Sequence, residues 1–207
     1  MTDKKELHLY MVEDGWIEVF PGDVFHFGHP MPGEIKVESI AHALARLCRY
    51  NGHTTRHYSV AEHACHVSDW VRVQPGSTIR DAYTALHHDD AEYIIGDLPK
   101  PIKVTMPNFM ALERILDMAI SLDLGTTYPF PPIIKEADSR ILKDERHAVM
   151  VPSEHDWGVD VLEKLGVKFW STMGRFPWYV ERQYLKRHHR LLAEIRAASA
   201  LAAGRLD

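Results

Sequence analysis

Four consecutive ionisable residues, His87-His88-Asp89-Asp90, stand inside an apolar run that extends from Tyr83 to Glu92. Ala85, Leu86 and Ala91 are good helix formers, and neither Gly nor Pro interrupts the run, so it reads as helix. A helix this apolar has a face to bury, and a buried unpaired charge is costly, so its polar side chains must be paired or bound to a metal. His88 offers an imidazole nitrogen and Asp89 a carboxylate, both suited to a divalent transition ion. On a continuous helix Glu92 projects from the same face, one turn along. Taken alone, the four residues read more readily as a solvated polar face. The other helices decide between the two.

Those helices follow from punctuation and spacing. Glu38-Ser39 can cap a first helix carrying Ile40, Ala43, Leu44 and Leu47 and ending near Tyr50, before Asn51-Gly52. Ser59 is an N-cap for a second, with Val60, Ala64, Val67, Trp70 and Val71, which stops at Pro75-Gly76. Ser77 or Thr78 caps the third, which is expected to be central and to end at Gly96. Asp97-Leu98-Pro99-Lys100-Pro101 is a rigid turn, because neither proline continues a helix. A fourth helix is expected over about 107–124, a fifth over 133–149, a short helical piece in 154–165 and a closing helix over about 178–203. Residues 1–37 differ. Trp16 to Phe20 and Asp23 to Phe27 are short aromatic and β-branched runs around Pro21-Gly22, with Ile35-Lys36-Val37 as a possible third strand. The expectation is one domain spanning 1–207: a β appendage over 1–37 on an all-α body over 38–207.

Composition removes several functions. A net charge of −5 in 207 residues leaves no basic footprint for nucleic acid or an anionic membrane. No stretch approaches the roughly 20 apolar residues of a membrane span, and Met1 to Glu6 does not open a signal peptide. Cys48 and Cys65 are too few for a disulfide framework, which points to a reducing cytoplasm, bacterial or, for a phage protein, that of the host. Fourteen histidines are many for this length and direct the search to metal ligands.

His63 on the second helix, His88 and Asp89 on the third and Asp138 on the fifth are each polar among apolar neighbours. Singly, each reads as a salt-bridged core residue. As a set, two imidazoles and two carboxylates form the donor set of a divalent ion, with Co, Zn and Mn not separable by ligand type. Such an ion acidifies a water and polarises a phosphoryl oxygen. Glu92 is placed beside it as the acid/base group. Asp97 reads either as part of a second cation site with Glu92 (Mg, Mn or Co) or as an Asx-turn residue before Leu98-Pro99. The C-terminal run Arg182, Lys186, Arg187, His188, His189 and Arg190 reads as a solvated face, an oligomer contact, or part of a neighbouring subunit's pocket.

The order His63, His88-Asp89, Asp138 on separate helices resembles the HD-domain metal-dependent phosphohydrolases. More closely, the segments RYNGHTTRHYSVAEH, ALHHDDAEYIIGDLPKPIK and KEADSRIL are similar to the branch of bacterial 5′-deoxynucleotidases and phage dATP triphosphohydrolases. The resemblance implies an HD-domain helical bundle with His63, His88, Asp89 and Asp138 as ligands of the first metal. It implies a second cation on Glu92 and Asp97, Arg49 beside the scissile phosphate, Tyr50 stacking on the base, and Lys103 and Lys135 on the outer phosphates. It also implies a homo-oligomer. The expected activity is a dATP (purine deoxynucleoside triphosphate) triphosphohydrolase that releases deoxynucleoside and triphosphate. The alternatives are a 5′-deoxynucleotidase acting on monophosphates and a non-catalytic nucleotide-binding module.

Overall fold

The computed structural model describes residues 15–31, 33–169 and 175–203. Within them the chain is mostly helical, with one small antiparallel hairpin, as the sequence predicts. Strands β1 (Trp16–Val19) and β2 (Asp23–His26) pair in register Trp16 opposite His26 and Val19 opposite Asp23. The hairpin turns its fully buried Phe25 onto the edge of Tyr93. Ile35-Lys36-Val37 adds no third strand. Lys36 is extended, but its carbonyl accepts from the N–H groups of Ser39 and Ile40 and so starts α1 (Val37–Arg46).

Helix α1 ends four residues before the expected Tyr50. Leu47 turns extended, and residues 47–49 pair with 58–60 instead: Val60 N–H donates to the Leu47 carbonyl, and Arg49 N–H donates to that of Tyr58. Between them Arg49–Gly52 forms a 3₁₀ turn in which Tyr50 and Asn51 are left-handed, at φ 56° and 50°. That pairing lifts Arg49 off the helix and into the core.

Helix α2 (Val60–Arg72) is deeply buried, Val60 through Ser68 without a break. Ser59 caps it by accepting from the Glu62 N–H at 3.2 Å. Thr78 caps α3 (Ile79–Leu86) with a reciprocal box to Asp81. Helix α3 stops at Leu86, where continuous helix to Gly96 was expected. The chain makes tight turns through Ala91, with i to i+3 bonds from Asp90 to His87, Glu92 to Asp89 and Tyr93 to Asp90, before α4 (Glu92–Ile95). Then follow α5 (Lys100–Lys103), α6 (Pro107–Leu124), α7 (Pro132–Val149) and α8 (Pro177–Ala203). Gly125, at φ 69°, ends α6 in the left-handed conformation that helix ends favour.

The helical piece expected in 154–165 does not form. The backbone there bonds to side chains of α7 instead: Lys143 Nζ donates to the carbonyls of Asp160 and Leu162, and Arg146 to that of His155. The N–H groups of Leu165, Gly166 and Val167 converge on the Asp144 carboxylate. Helix α8 lies against α1, α2 and α3, burying Val180, Tyr184 and Leu191 in the common core. Among the described residues no helix is long and apolar enough to cross a membrane.

Candidate metal centre

Three elements converge on one point. From α2 comes His63, fully buried; from the turn after α3 come His88 and Asp89; from α7 comes Asp138, whose side chain is 41% exposed. His63 Nε2 lies 3.3 Å from His88 Nε2, 3.3 Å from Asp138 Oδ1 and 3.5 Å from Asp89 Oδ2. His88 Nε2 is 3.4 Å from Asp89 Oδ2 and 3.9 Å from Asp138 Oδ1. Ligands about 2.1 Å from a tetrahedral zinc-like ion are themselves about 3.4 Å apart, so the spacing suits an ion at the centre. His63, His88 and Asp138 are the mutually close set; Asp89 approaches both imidazoles from one side.

The tautomers are settled from behind. His88 Nδ1 faces the Ala85 carbonyl at 2.8 Å, which only accepts, so Nδ1 carries a proton and Nε2 of the neutral ring a lone pair; burial opposes a charge on the ring, yet without a metal Asp89 and Asp138 raise it to about 9. His63 Nδ1 stands 2.7 Å from Glu145 Oε1, and the carboxylate fixes its proton the same way. With both rings neutral, two nitrogen lone pairs face each other at 3.3 Å with carboxylate oxygens beside them. That arrangement needs a cation between them, a metal or a shared proton. A ligating histidine whose other N–H is held by carboxylate or carbonyl is the usual support of a metal site.

Two proteins align with this chain over most of its length. The uncharacterized protein RCAP_rcc00048 of Rhodobacter capsulatus is 34% identical over 190 residues, 87% of this chain and 97% of its own. YfdR of Escherichia coli is 30% identical over 148 residues, 70% of this chain and 78% of its own. The chain belongs to their family. No protein-family model matches it.

In this member of the family, Glu145 is the site residue that the sequence reading missed. It is fully buried and accepts from His63, from Tyr58 Oη at 2.8 Å, from Tyr50 Oη and from Arg49 Nη2 at 3.3 Å. Burial opposes its charge, yet Arg49, His63 and the Tyr50 hydroxyl hold its carboxyl down to about 2. The signal was available: Glu145 stands seven residues after Asp138, two turns along the same face of α7.

Arg49 reaches the centre, with Nη1 3.5 Å from Asp89 and its Nε without a hydrogen-bond partner. Tyr50 is less free than a base-stacking residue would be. Its hydroxyl is held by Glu145, its N–H donates to Asp97 Oδ2 at 3.2 Å, and its ring leans on Trp157. Asp97 therefore anchors the turn at Tyr50 rather than its own turn. Glu92 is buried, with Oε2 unpartnered. Burial, then Asp89 and Asp97, push its carboxyl well above the usual range, against Arg49 and Lys103. Asp97 is likewise raised, by burial first, with Arg49 opposing and Asp89 adding. Lys103 is half-buried and bonded to Glu113 Oε1 at 2.5 Å, and Lys135 is exposed. Of the expected site, the four ligands, Arg49, Glu92 and Asp97 gather together; Lys135 stands on the surface.

Proposed function

We propose that this chain is a divalent-metal-dependent phosphohydrolase of deoxynucleotides, of the HD type that its motifs resemble. The observation that carries the reading is the pair of Nε2 lone pairs facing each other beside Asp89 and Asp138, with both Nδ1 protons locked from behind. An ion held by His63, His88, Asp89 and Asp138 supplies Lewis acidity and lowers the pKa of a water. The chain's own groups do the rest. Arg49, fixed between Glu145 and Asp89, offers its unpartnered Nε–H to a phosphate oxygen. Glu92, its carboxyl held well above the usual range by burial and by Asp89 and Asp97, serves as the acid/base group. The crowding of Asp89, Glu92 and Asp97 favours a second cation among them.

Within this reading a purine deoxynucleoside triphosphate, dATP above all, is the first candidate, with Arg49 and Lys103 on the phosphates. A monophosphate is the second, favoured by the engagement of Lys103 with Glu113 and the exposure of Lys135, which leave fewer cations for outer phosphates. The test is turnover of a panel of deoxynucleoside mono- and triphosphates and ribonucleotides with Co, Mn, Mg or Zn. Deoxyadenosine and intact triphosphate from dATP support the first candidate. Phosphate from several monophosphates supports the second. No turnover with any pair leaves a non-catalytic nucleotide-binding protein.

A further inference from the structure

The ligand-bearing turn has a second, opposite side. His87 and Asp90 flank His88 and Asp89 in sequence, yet they enter a separate buried network that reaches α8. His87 Nδ1 lies 2.6 Å from Asp90 Oδ2 and 2.9 Å from the Tyr184 hydroxyl. The Tyr184 hydroxyl donates to Asp90 Oδ1 at 2.5 Å. His87 Nε2 faces His188 Nδ1 at 3.1 Å, and the Tyr83 hydroxyl, which donates to the Leu124 carbonyl, stands 3.5 Å from that same nitrogen. All five residues are buried. Tyr184 and His188 are four apart, hence on one face of α8, in the stripe otherwise made of Val180 and Leu191. His188 therefore leaves the basic run around it and points inward. Burial first, then His87, His189 and Arg196, push it down to about 3, so it is a neutral partner.

This network sits where the helix breaks. Continuous helix past Leu86 is what local propensity favours; the observed chain leaves it at His87 and turns through Ala91. His87 and Asp90, three apart across that turn, are tied to each other and to Tyr184, which holds the loop in the shape that aims His88 and Asp89 at His63. We propose that Tyr184 and His188 are positioning residues, setting the geometry of the His88-Asp89 ligand pair from α8 through His87 and Asp90. The proposal rests on the metal-site reading above. The competing account is that the network only fixes how α8 docks.

Metal affinity separates the two. Wild-type protein, freed of metal, is titrated with Co(II) and followed by its visible absorption, alongside thermal unfolding of the metal-free form. Tyr184→Phe keeps the ring and removes the hydroxyl; Leu191→Ala, two turns along α8 and also buried, weakens the packing of α8 without removing a group of the network. Groups that orient ligands from behind are typically worth about 10–100-fold in metal affinity. The expected result is a loss of about 10-fold or more, with an altered spectrum, in Tyr184→Phe, and wild-type affinity in Leu191→Ala despite its lower melting temperature. Wild-type affinity and spectrum in Tyr184→Phe, or equal losses in both variants, would overturn the proposal and leave a docking contact. A wild-type protein that binds no Co(II) would overturn the metal reading itself, and the positioning role with it.

Discussion

Two histidine–aspartate pairs sit side by side in one turn and meet opposite fates. His88 and Asp89 face His63 and Asp138, where acceptors meet acceptors and the donors lie behind. His87 and Asp90 face Tyr184 and His188, where hydroxyl and ring protons are matched to carboxylate and ring acceptors. The first pair belongs to a group that could hold a cation; the second finds its partners within the protein. Residue type therefore does not make a metal site. A site is made by withholding protein donors from the acceptor side, and the neighbouring pair shows what the same side chains do when donors are supplied.

The comparison breaks most sharply at the open pair. Replacing His63 or Asp138 by Ala removes one ligand of the mutually close set. Both metal uptake and turnover are expected to fall to background, checked by metal analysis of the purified protein and by product chromatography. Glu92→Gln keeps the ligands and removes proton exchange, so turnover is expected to drop by about 10²–10⁴-fold while metal content stays at the wild-type level. Glu145→Gln loosens the hold on His63 Nδ1, and metal affinity is expected to fall by about 10–100-fold, read by Co(II) titration.

The closed pair breaks differently. His87→Ala leaves Asp90 and His188 short of a partner in the core, which costs about 1–3 kcal/mol. For a chain of this size that lowers the melting temperature by roughly 2–4 °C per kcal/mol, read by thermal unfolding with and without metal. Added metal is expected to stabilise the wild type and to leave His63→Ala unmoved.

An effect confined to higher pH lies beside the open pair, at Asp117 of α6. Burial first, then Glu113 and Asp89, raise its carboxyl from the usual 3.8 to about 8. Between those values the unfolded chain has lost the proton and the folded chain has kept it. The group therefore weakens folding progressively as pH rises from about 4 to about 8, and not below. Asp117→Asn removes that dependence, and its melting temperature is expected to exceed the wild type at pH 8 and to match it at pH 4.

Helices and caps were legible where the cause is local. Ser59, Thr78 and Gly125 act through neighbours within a few residues, and the ends they mark are where they were expected. The meeting of Asp138 with His63 and His88 was legible because charged residues on an apolar face need an explanation wherever the chain goes. Glu145 was passed over because Glu145 and Asp144 sit together in a charged stretch, and only the fold shows which of the two meets His63 and which meets the loop at 165–167.

What the sequence determined by itself was the helical order, the hairpin and the residue types able to hold a cation, all set by periodicity, capping and donor chemistry. The tertiary structure decided where α1 and α3 stop, which brings Arg49 inward and turns His88 away from His87. Those breaks oppose local helix propensity, which is worth less than about 1 kcal/mol per residue. Contacts made across the fold, 97 and 101 residues along the chain from His87 to Tyr184 and His188, outweigh it.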